Sequence, residues 1–186
     1  MLNNQKNVLL SKGNILLRQL LASDVTQKYV DWMNDTAVNE YLETKSNSHN
    51  LQTITTYVLD MEKSSENILF GIFVGENKVH IGNIKLGPVN EYQKTSTIGL
   101  AIGEKKFWGK GIATLAISMV VDYGFDNLKL EKICAGCYEQ NLGSKKAFLN
   151  AGFQVEGFFK NQVRVANCRQ GVWQMGISLS DINLDK

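Results

Sequence analysis

The chain has 186 residues, of which 44% are hydrophobic and 20% are charged, and its formal net charge is +2. This length predicts a single domain, residues 1–186, with a core over about 15–178 that the apolar fraction is sufficient to bury. The small net charge gives no basic surface that would favour nucleic acid or an anionic membrane as a partner. The N-terminus lacks the apolar stretch of a signal peptide, and no apolar run reaches the roughly 20 residues that cross a bilayer. We therefore expect a soluble, cytoplasmic protein.

The three cysteines, Cys134, Cys137 and Cys168, are an odd number, which argues against a disulfide framework. Cys134 and Cys137 form a C-x-x-C pair inside LEKICAGCY, which is typical of a strand and would place the two thiols on opposite faces. The two histidines, His49 and His80, are not at a ligand-like spacing from them. The sequence therefore predicts no metal site.

The N-terminal half alternates strands and amphipathic helices. NILLRQL predicts a first strand over 14–20, and SDVTQKYVDWMND predicts a helix with Ser23 as its N-cap and Trp32 on its apolar stripe. A second helix is predicted over 51–62. Residues 67–86 then read as a hairpin of two strands joined by a Gly-Glu-Asn turn.

The C-terminal half begins with a strand over 95–104, TSTIGLAIGE. Apolar positions from Ile112 to Tyr123 follow helical spacing, and LEKICAGCY returns to strand. Because a helix connects them, the two flanking strands should be parallel. A short helix over 144–152, ending at Gly152, and two more strands over 153–165 and 171–179 complete the chain. This order predicts a mixed α+β fold with one sheet covered by helices.

KKFWGKGIATLAI, residues 105–117, joins a glycine turn to a helix. The spacing of a nucleotide-binding P-loop is absent, and Thr114 stands where the dinucleotide fingerprint requires a third glycine. A helix start still offers unpaired N–H groups and a positive dipole end to an anion, and Gly109 and Gly111 would let it approach. An ordinary turn before a helix would show the same glycines. Positive charge nearby comes from Lys105, Lys106 and Lys110.

Three motifs follow one another in the chain: W-G-K-G-I-A-T at 108–114, N-L-G-S at 141–144 and G-F-Q-V-E-G at 152–157. In this order they resemble the GNAT superfamily of acetyltransferases, and within it the ribosomal-protein N-acetyltransferase-like branch. The resemblance covers about residues 15–178. It implies the GNAT fold, an α+β architecture in which one mixed, mostly antiparallel twisted sheet is splayed between its fourth and fifth strands and carries helices on both faces.

The resemblance also implies acetyl-CoA as donor, CoA as product, a primary amine as acceptor and no metal, and it leaves a homodimer open. The pyrophosphate would bind the glycine turn and helix start, and the pantetheine arm would lie along the preceding strand. A bulge at Gly99 is expected to splay that strand from the strand at 132–138. The implied cofactor-binding residues are Gly99, Leu100, Ala101, Ile102, Trp108, Gly109, Lys110, Gly111, Ile112, Ala113, Thr114, Asn141 and Lys146.

The resemblance assigns the catalytic residues less completely. Several relatives have a tyrosine where this chain has Phe148, so that acid is missing. The resembled branch offers Ser144 as proton donor to the departing thiolate, with Asn141 positioning the pantetheine or a water. Asn141 as a helix cap and Ser144 as a first-turn serine are the alternatives. No carboxylate is identified as the general base, and the ones considered are Glu139, Glu91, Asp35 and Glu40.

The missing base favours an acceptor amine of low pKa. A protein α-amino group, with a pKa of about 7.7–8.0, is partly neutral at pH 7, whereas a lysine amine near about 10.4 is not. A protein N-terminus or an amino sugar is therefore the expected acceptor, and a polyamine or an aminoglycoside is the alternative. A catalytically weak acyl-CoA-binding sensor is a second alternative. The residues considered for the acceptor pocket are Trp32, which also fits the core, and Asn34, Tyr41 and Tyr92.

Overall fold

The computed structural model describes residues 8–183. Its strands are β1 (Leu9–Lys12), β2 (Ile15–Gln19), β3 (Ile68–Val74), β4 (Val79–Leu86), β5 (Thr95–Ile102), β6 (Lys132–Tyr138), β7 (Gln154–Val165) and β8 (Cys168–Ser178). Its helices are α1 (Gln27–Asn34), α2 (Thr36–Asn39), α3 (Leu51–Lys63), α4 (Ile112–Asp126), α5 (Leu142–Asn150) and α6 (Leu179–Asn183). The strands form one sheet in the order β1-β2-β3-β4-β5-β6-β8-β7. Neighbouring strands are antiparallel except β5 and β6, which are parallel as predicted.

The sheet opens between β5 and β6. These strands pair only where Thr95 to Thr97 lie beside Lys132 to Cys134. Farther along, β5 stays paired with β4 as far as Ile102, and β6 stays paired with β8 as far as Tyr138. The gap between β5 and β6 is the predicted splay. The prediction did not include β1, so its fourth and fifth strands correspond to β5 and β6 of the structure.

Helices cover both faces of the sheet because the side chains of its central strands alternate between two apolar clusters. Leu69 and Phe73 of β3 belong to the cluster that contains α1 and α3 residues. Phe70 and Ile72 of the same strand belong to the larger cluster that contains α4 and α5 residues. All residues of β3 are buried, as expected for a strand covered on both faces.

The predicted start of the first helix is wrong. Ser23 lies in a 3₁₀ turn, Ala22–Asp24, and α1 begins later, at Gln27, with Thr26 at the N-cap position. The Asp24 carboxylate accepts a hydrogen bond from a backbone N–H at the start of this turn, at 2.9 Å. This local bond stabilises the turn ahead of the helix and explains the later start.

The predicted bulge at Gly99 is also wrong. The register between β4 and β5 is continuous from the pair Leu86–Ile98 to the pair Gly82–Ile102. A register shift occurs instead between Ile72 and Phe73 of β3, opposite β4. The splay between β5 and β6 therefore occurs without an extra residue in β5 between Ile98 and Ile102.

The two neighbouring cysteines of β6 differ as a strand requires: Cys137 is buried and Cys134 is half-buried, and both are free thiols. Within residues 8–183, no three His, Cys, Asp or Glu side chains are grouped so that they could hold a metal ion. In the same range, no helix is both long enough and apolar enough to cross a membrane.

Candidate active site

The gap and two helix starts lie at one edge of the sheet. β5 and β6 are parallel, so their carboxyl ends point to the same edge. The glycine turn and α4 follow β5, and α5 follows β6. The topology therefore brings the W-G-K-G turn and the N-L-G-S motif to the same edge, beside the gap.

Unpaired backbone groups of β5 face this gap. The carbonyl of Lys94 accepts from Lys132 on the β6 side, at 3.3 Å, whereas the carbonyl of Thr97 accepts from Gly87 on the β4 side, at 2.9 Å. Backbone groups alternate in direction along a strand. The N–H and C=O groups of Leu100 and Ile102 therefore point toward β6, beyond the place where pairing with β6 has ended.

One of these groups already has a partner. The indole N–H of Trp108 donates to the carbonyl of Ile102 at 2.7 Å. This leaves the N–H of Ile102 and both backbone groups of Leu100 free to bind a ligand in the gap. Ile102 could therefore contact the cofactor through its N–H but not through its carbonyl. Trp108 was expected only as a residue of the cofactor loop, and nothing in the sequence pattern indicated that its indole would be fixed on β5.

The start of α4 has the backbone geometry that an anion site requires. Gly109 and Gly111 have left-handed φ angles of 71° and 75°, and Gly111 is the N-cap residue, without a capping side chain. The first intrahelical bond runs from Leu115 N–H to the Gly111 carbonyl, at 3.0 Å. In the described part of the chain, the N–H groups of residues 112–114 have no hydrogen-bond partner. These donors, together with the helix dipole, fit a diphosphate.

The lysines near this turn differ in how they are engaged. Lys105 pairs with Asp35 at 2.5 Å, and this bond holds the pKa of the Asp35 carboxyl below its usual range. Asp35 is therefore occupied and is a poor candidate for the base. Among the described residues, Lys110 has no carboxylate within 4.0 Å, so its charge remains available to a ligand. Lys146 is exposed on α5.

The start of α5 carries the two residues considered for catalysis. The side-chain oxygen of Asn141 accepts from the N–H of Ser144 at 3.1 Å, so Asn141 is the N-cap of the helix. The Ser144 hydroxyl, in a half-buried side chain, has no hydrogen-bond partner within residues 8–183 and can donate to a ligand. Phe148 is fully buried with its ring 5.0 Å from that of Phe153, so it contributes packing only.

The other carboxylates considered for the base are dispersed. Glu139 accepts from the N–H of Gly171 at 2.9 Å and holds the end of β6 on β8. Glu40 is exposed next to Tyr41, where burial, and then the Glu40 charge, raise the pKa of Tyr41. Glu91 is exposed in the loop between β4 and β5. Neither Glu139 nor Glu40 is placed as a base by a contact in the described structure.

Three of the residues considered for the acceptor pocket have other surroundings. Trp32 is buried, and its indole N–H donates to Glu104 at 3.1 Å. The Asn34 amide donates to the carbonyl of His49 at 2.8 Å and fixes the segment before α3. Tyr92 is 90% exposed in the loop before β5. Their structural roles are therefore core packing, loop fixation and surface, respectively.

A group of side chains, of which the sequence indicated only Tyr41, lies at the end of β6. The buried Tyr138 donates its hydroxyl to Glu43 at 2.6 Å, and burial, together with the Glu43 charge, raises the pKa of Tyr138. Tyr41 packs edge-on against Tyr138, with ring centroids 6.2 Å apart. Lys45 lies over the same ring at 5.4 Å and donates to the Arg164 carbonyl at 2.9 Å. The segment 41–45 therefore folds over the end of the strand that borders the gap.

Comparison with known proteins agrees with this geometry. Residues 14–154 match the family described as acetyltransferase (GNAT) domain. The chain is 38% identical, over 71% of its length and 70% of the relative's, to the probable N-acetyltransferase YjcK of Bacillus subtilis. The fold matches that of spermidine N-acetyltransferase from Vibrio cholerae, solved with CoA and spermine, with a TM-score of 0.82 and 21% identity over 91% of this chain and 98% of that one.

The open gap, the free N–H groups at the start of α4 and the family match agree with one another. The ribosomal-protein branch is not distinguished by these matches and stays a prediction. The chain belongs to the GNAT family and is an acetyl-CoA-dependent N-acetyltransferase.

Proposed function

We propose that this N-acetyltransferase acts on a primary amine of low pKa, either a protein N-terminus or the amine of an amino sugar. The observation that carries the acceptor class is that two of the four carboxylates considered as the general base are engaged by other groups of the protein. Asp35 is paired with Lys105, and Glu139 is bonded to the Gly171 N–H. An acceptor that is already partly neutral at pH 7 needs no strong base in the protein.

The donor site that we propose uses the backbone more than side chains. The N–H groups of residues 112–114 would bind the diphosphate, and Gly109 and Gly111, which have no side chain, would let it come close to the backbone. Lys110 and Lys146 would add positive charge. The pantetheine arm would lie along residues Gly99, Leu100, Ala101 and Ile102 of β5. It would form hydrogen bonds with the free backbone groups of Leu100, as a neighbouring strand does.

Acetyl-CoA supplies the thioester that the amine attacks. Backbone N–H groups of β5 that face the gap are the groups available to stabilise the oxyanion. The Ser144 hydroxyl, which the described structure leaves without a partner, is the group available to protonate the leaving sulfur. It would recover a proton from the attacking amine, which loses one N–H proton as the amide forms. Asn141 would act by capping α5 and so fixing the position of Ser144.

The test is release of free CoA thiol from acetyl-CoA with N-terminal peptides, amino sugars, polyamines and aminoglycosides. We expect release with a peptide or an amino sugar, at a rate that levels off above the acceptor pKa of about 8. A rate that keeps rising toward pH 10 would point to a polyamine or lysine-like amine. Binding of acetyl-CoA without release in any mixture would favour the sensor.

A further inference from the structure

Tyr138 places a carboxylate beside the gap. It is the last residue of β6, the strand that forms one wall of the gap, and its hydroxyl donates to Glu43 Oε1 at 2.6 Å. Among residues 8–183, no cation lies within 4.0 Å of Glu43. Glu43 therefore has one oxygen held by Tyr138 and a negative charge that no described side chain neutralises.

A second acceptor oxygen lies on the same face of the sheet. Tyr138 is opposite Val172 on β8, and Gln170 is two residues from Val172, so the side chains of Tyr138 and Gln170 project from one face. Gln170 is only 5% exposed, and its Oε1 has no hydrogen-bond partner in the described structure. Its amide nitrogen donates to Gln140 at 3.2 Å. A buried acceptor without a donor is costly, and an N–H group of a ligand would satisfy it.

The side chains packed around the Tyr138 ring are mainly apolar, and one cation lies against it. Tyr138 clusters with Val165 and Val172, and Tyr41 and Val163 pack against them. The Lys45 ammonium lies over the Tyr138 ring and donates to a backbone carbonyl of the β7–β8 hairpin, so it is not paired with Glu43. The site thus combines an unpaired carboxylate, an unsatisfied amide oxygen and an aromatic and aliphatic wall.

We infer that Glu43 is the carboxylate that binds the acceptor's primary amine, that Tyr138 positions it, and that Gln170 accepts a second amine N–H. This inference rests on the proposed function and narrows it. Two acceptor oxygens would take two N–H bonds of the amine and leave its lone pair to face the thioester. The chemistry selected is one amine next to an apolar or ring surface, which an N-terminal residue and a hexosamine both present.

Steady-state kinetics of Glu43→Gln and Tyr138→Phe test the site. Loss of one hydrogen bond to a charged group should raise the KM for the amine about tenfold in Glu43→Gln. A smaller rise is expected in Tyr138→Phe, which keeps the ring. The KM for acetyl-CoA should not change in either variant. Glu76→Gln, the same chemical change at an exposed residue of the β3–β4 turn, is the matched control and should behave as the wild type.

The possible outcomes separate the two levels of the proposal. An active wild type with an unchanged amine KM in Glu43→Gln overturns the acceptor site and leaves the proposed function intact. An equal rise in both KM values shows that Glu43 is merely structural and also overturns the site. A wild type that releases no CoA with any amine overturns the proposed function and this inference with it. Parallel assays with an N-terminal peptide and with glucosamine identify which source of the amine is used. Because Glu43 is exposed, Glu43→Gln should fold and test the site even if Tyr138→Phe does not fold.

Discussion

Trp108 and Ile102 are joined by a hydrogen bond of 2.7 Å from the indole N–H to the backbone carbonyl. Trp108 precedes the two left-handed glycines, and Ile102 ends β5, so this bond fixes the glycine turn relative to the wall of the gap. The two halves of the proposed donor site are therefore oriented by a side chain that need not contact the ligand itself.

Replacing Trp108 with Phe should weaken acetyl-CoA binding. The change keeps an aromatic ring on a side chain that is 44% exposed and removes only the N–H donor. Loss of about 1 kcal/mol of hydrogen bonding would raise the acetyl-CoA Kd about fivefold. Isothermal titration with CoA or acetyl-CoA measures this directly. An unchanged Kd would show that the turn keeps its position without the indole.

Replacing Gly111 with Ala should affect binding more than folding. A side chain in the left-handed region costs roughly 1–2 kcal/mol, and the added methyl would lie where the diphosphate approaches. We expect an acetyl-CoA Kd at least about tenfold higher, with a Tm lower by about 2–8 °C for a chain of this size.

Gly75 provides a matched control for Gly111. It has nearly the same φ angle, 73°, and, as at Gly111, an added Cβ would meet no atom within 4 Å. Gly75→Ala lies in the β3–β4 turn and should lower the Tm by a similar amount while leaving the Kd unchanged. If both variants lost affinity equally, the effect of Gly111→Ala would be one of stability alone.

Local patterns in the sequence predicted most of the fold. The spacing of apolar residues from Ile112 to Tyr123 predicted α4, and the Gly-Glu-Asn turn predicted the β3–β4 hairpin. The parallel pair β5 and β6 followed from the helix between them. β1 was missed because it has only four residues, of which most are exposed, so it lacks the alternation that marks a strand.

The sequence predicted only those parts of the candidate site whose residues are neighbours in the chain. The proposed anion site depends on Gly111 and the helix that follows it, which are contiguous in the chain. The bond between Glu43 and Tyr138 joins residues that are 95 positions apart, and they meet only because the segment after α2 folds over the end of β6. The unsatisfied Gln170 oxygen likewise depends on burial, which no spacing of residues indicates.

Replacing Ser144 with Ala should reduce turnover without destabilising the protein. The hydroxyl makes no hydrogen bond within the described residues, whereas the backbone N–H that Asn141 caps is retained. If the hydroxyl protonates the leaving sulfur, kcat should fall by about 100-fold or more with little change in the acetyl-CoA Kd and the Tm.

Asn141→Ala provides the contrast to Ser144→Ala. It removes the N-cap of α5 and should cost about 1 kcal/mol of stability. A Ser144→Ala enzyme with wild-type kcat would exclude the hydroxyl as proton donor and leave it as a first-turn residue.

The ion pair between Arg18 and Asp24 predicts a dependence of stability on pH. Two hydrogen bonds of 2.6 and 2.7 Å join the groups, and Arg18 holds the pKa of the Asp24 carboxyl below its usual range. The unfolded chain therefore binds a proton at Asp24 more readily than the folded chain does. This contribution to stability is complete above the unfolded pKa of about 3.9 and is lost as the pH falls through the folded value.

Asp24→Asn should accordingly lower the Tm by about 2–4 °C at pH 7, and the difference from the wild type should narrow as the pH falls below the unfolded pKa of about 3.9. Thermal unfolding followed by circular dichroism between pH 2.5 and pH 7 measures both curves. Asp60→Asn changes an exposed carboxylate on α3 and should leave the wild-type curve unchanged. A Tm difference for Asp24→Asn that stayed constant across this range would mean that Asp24 stabilises the protein through its hydrogen bond to the backbone of the 3₁₀ turn and not through its charge. The Asn side chain would then make this bond less well than Asp at every pH.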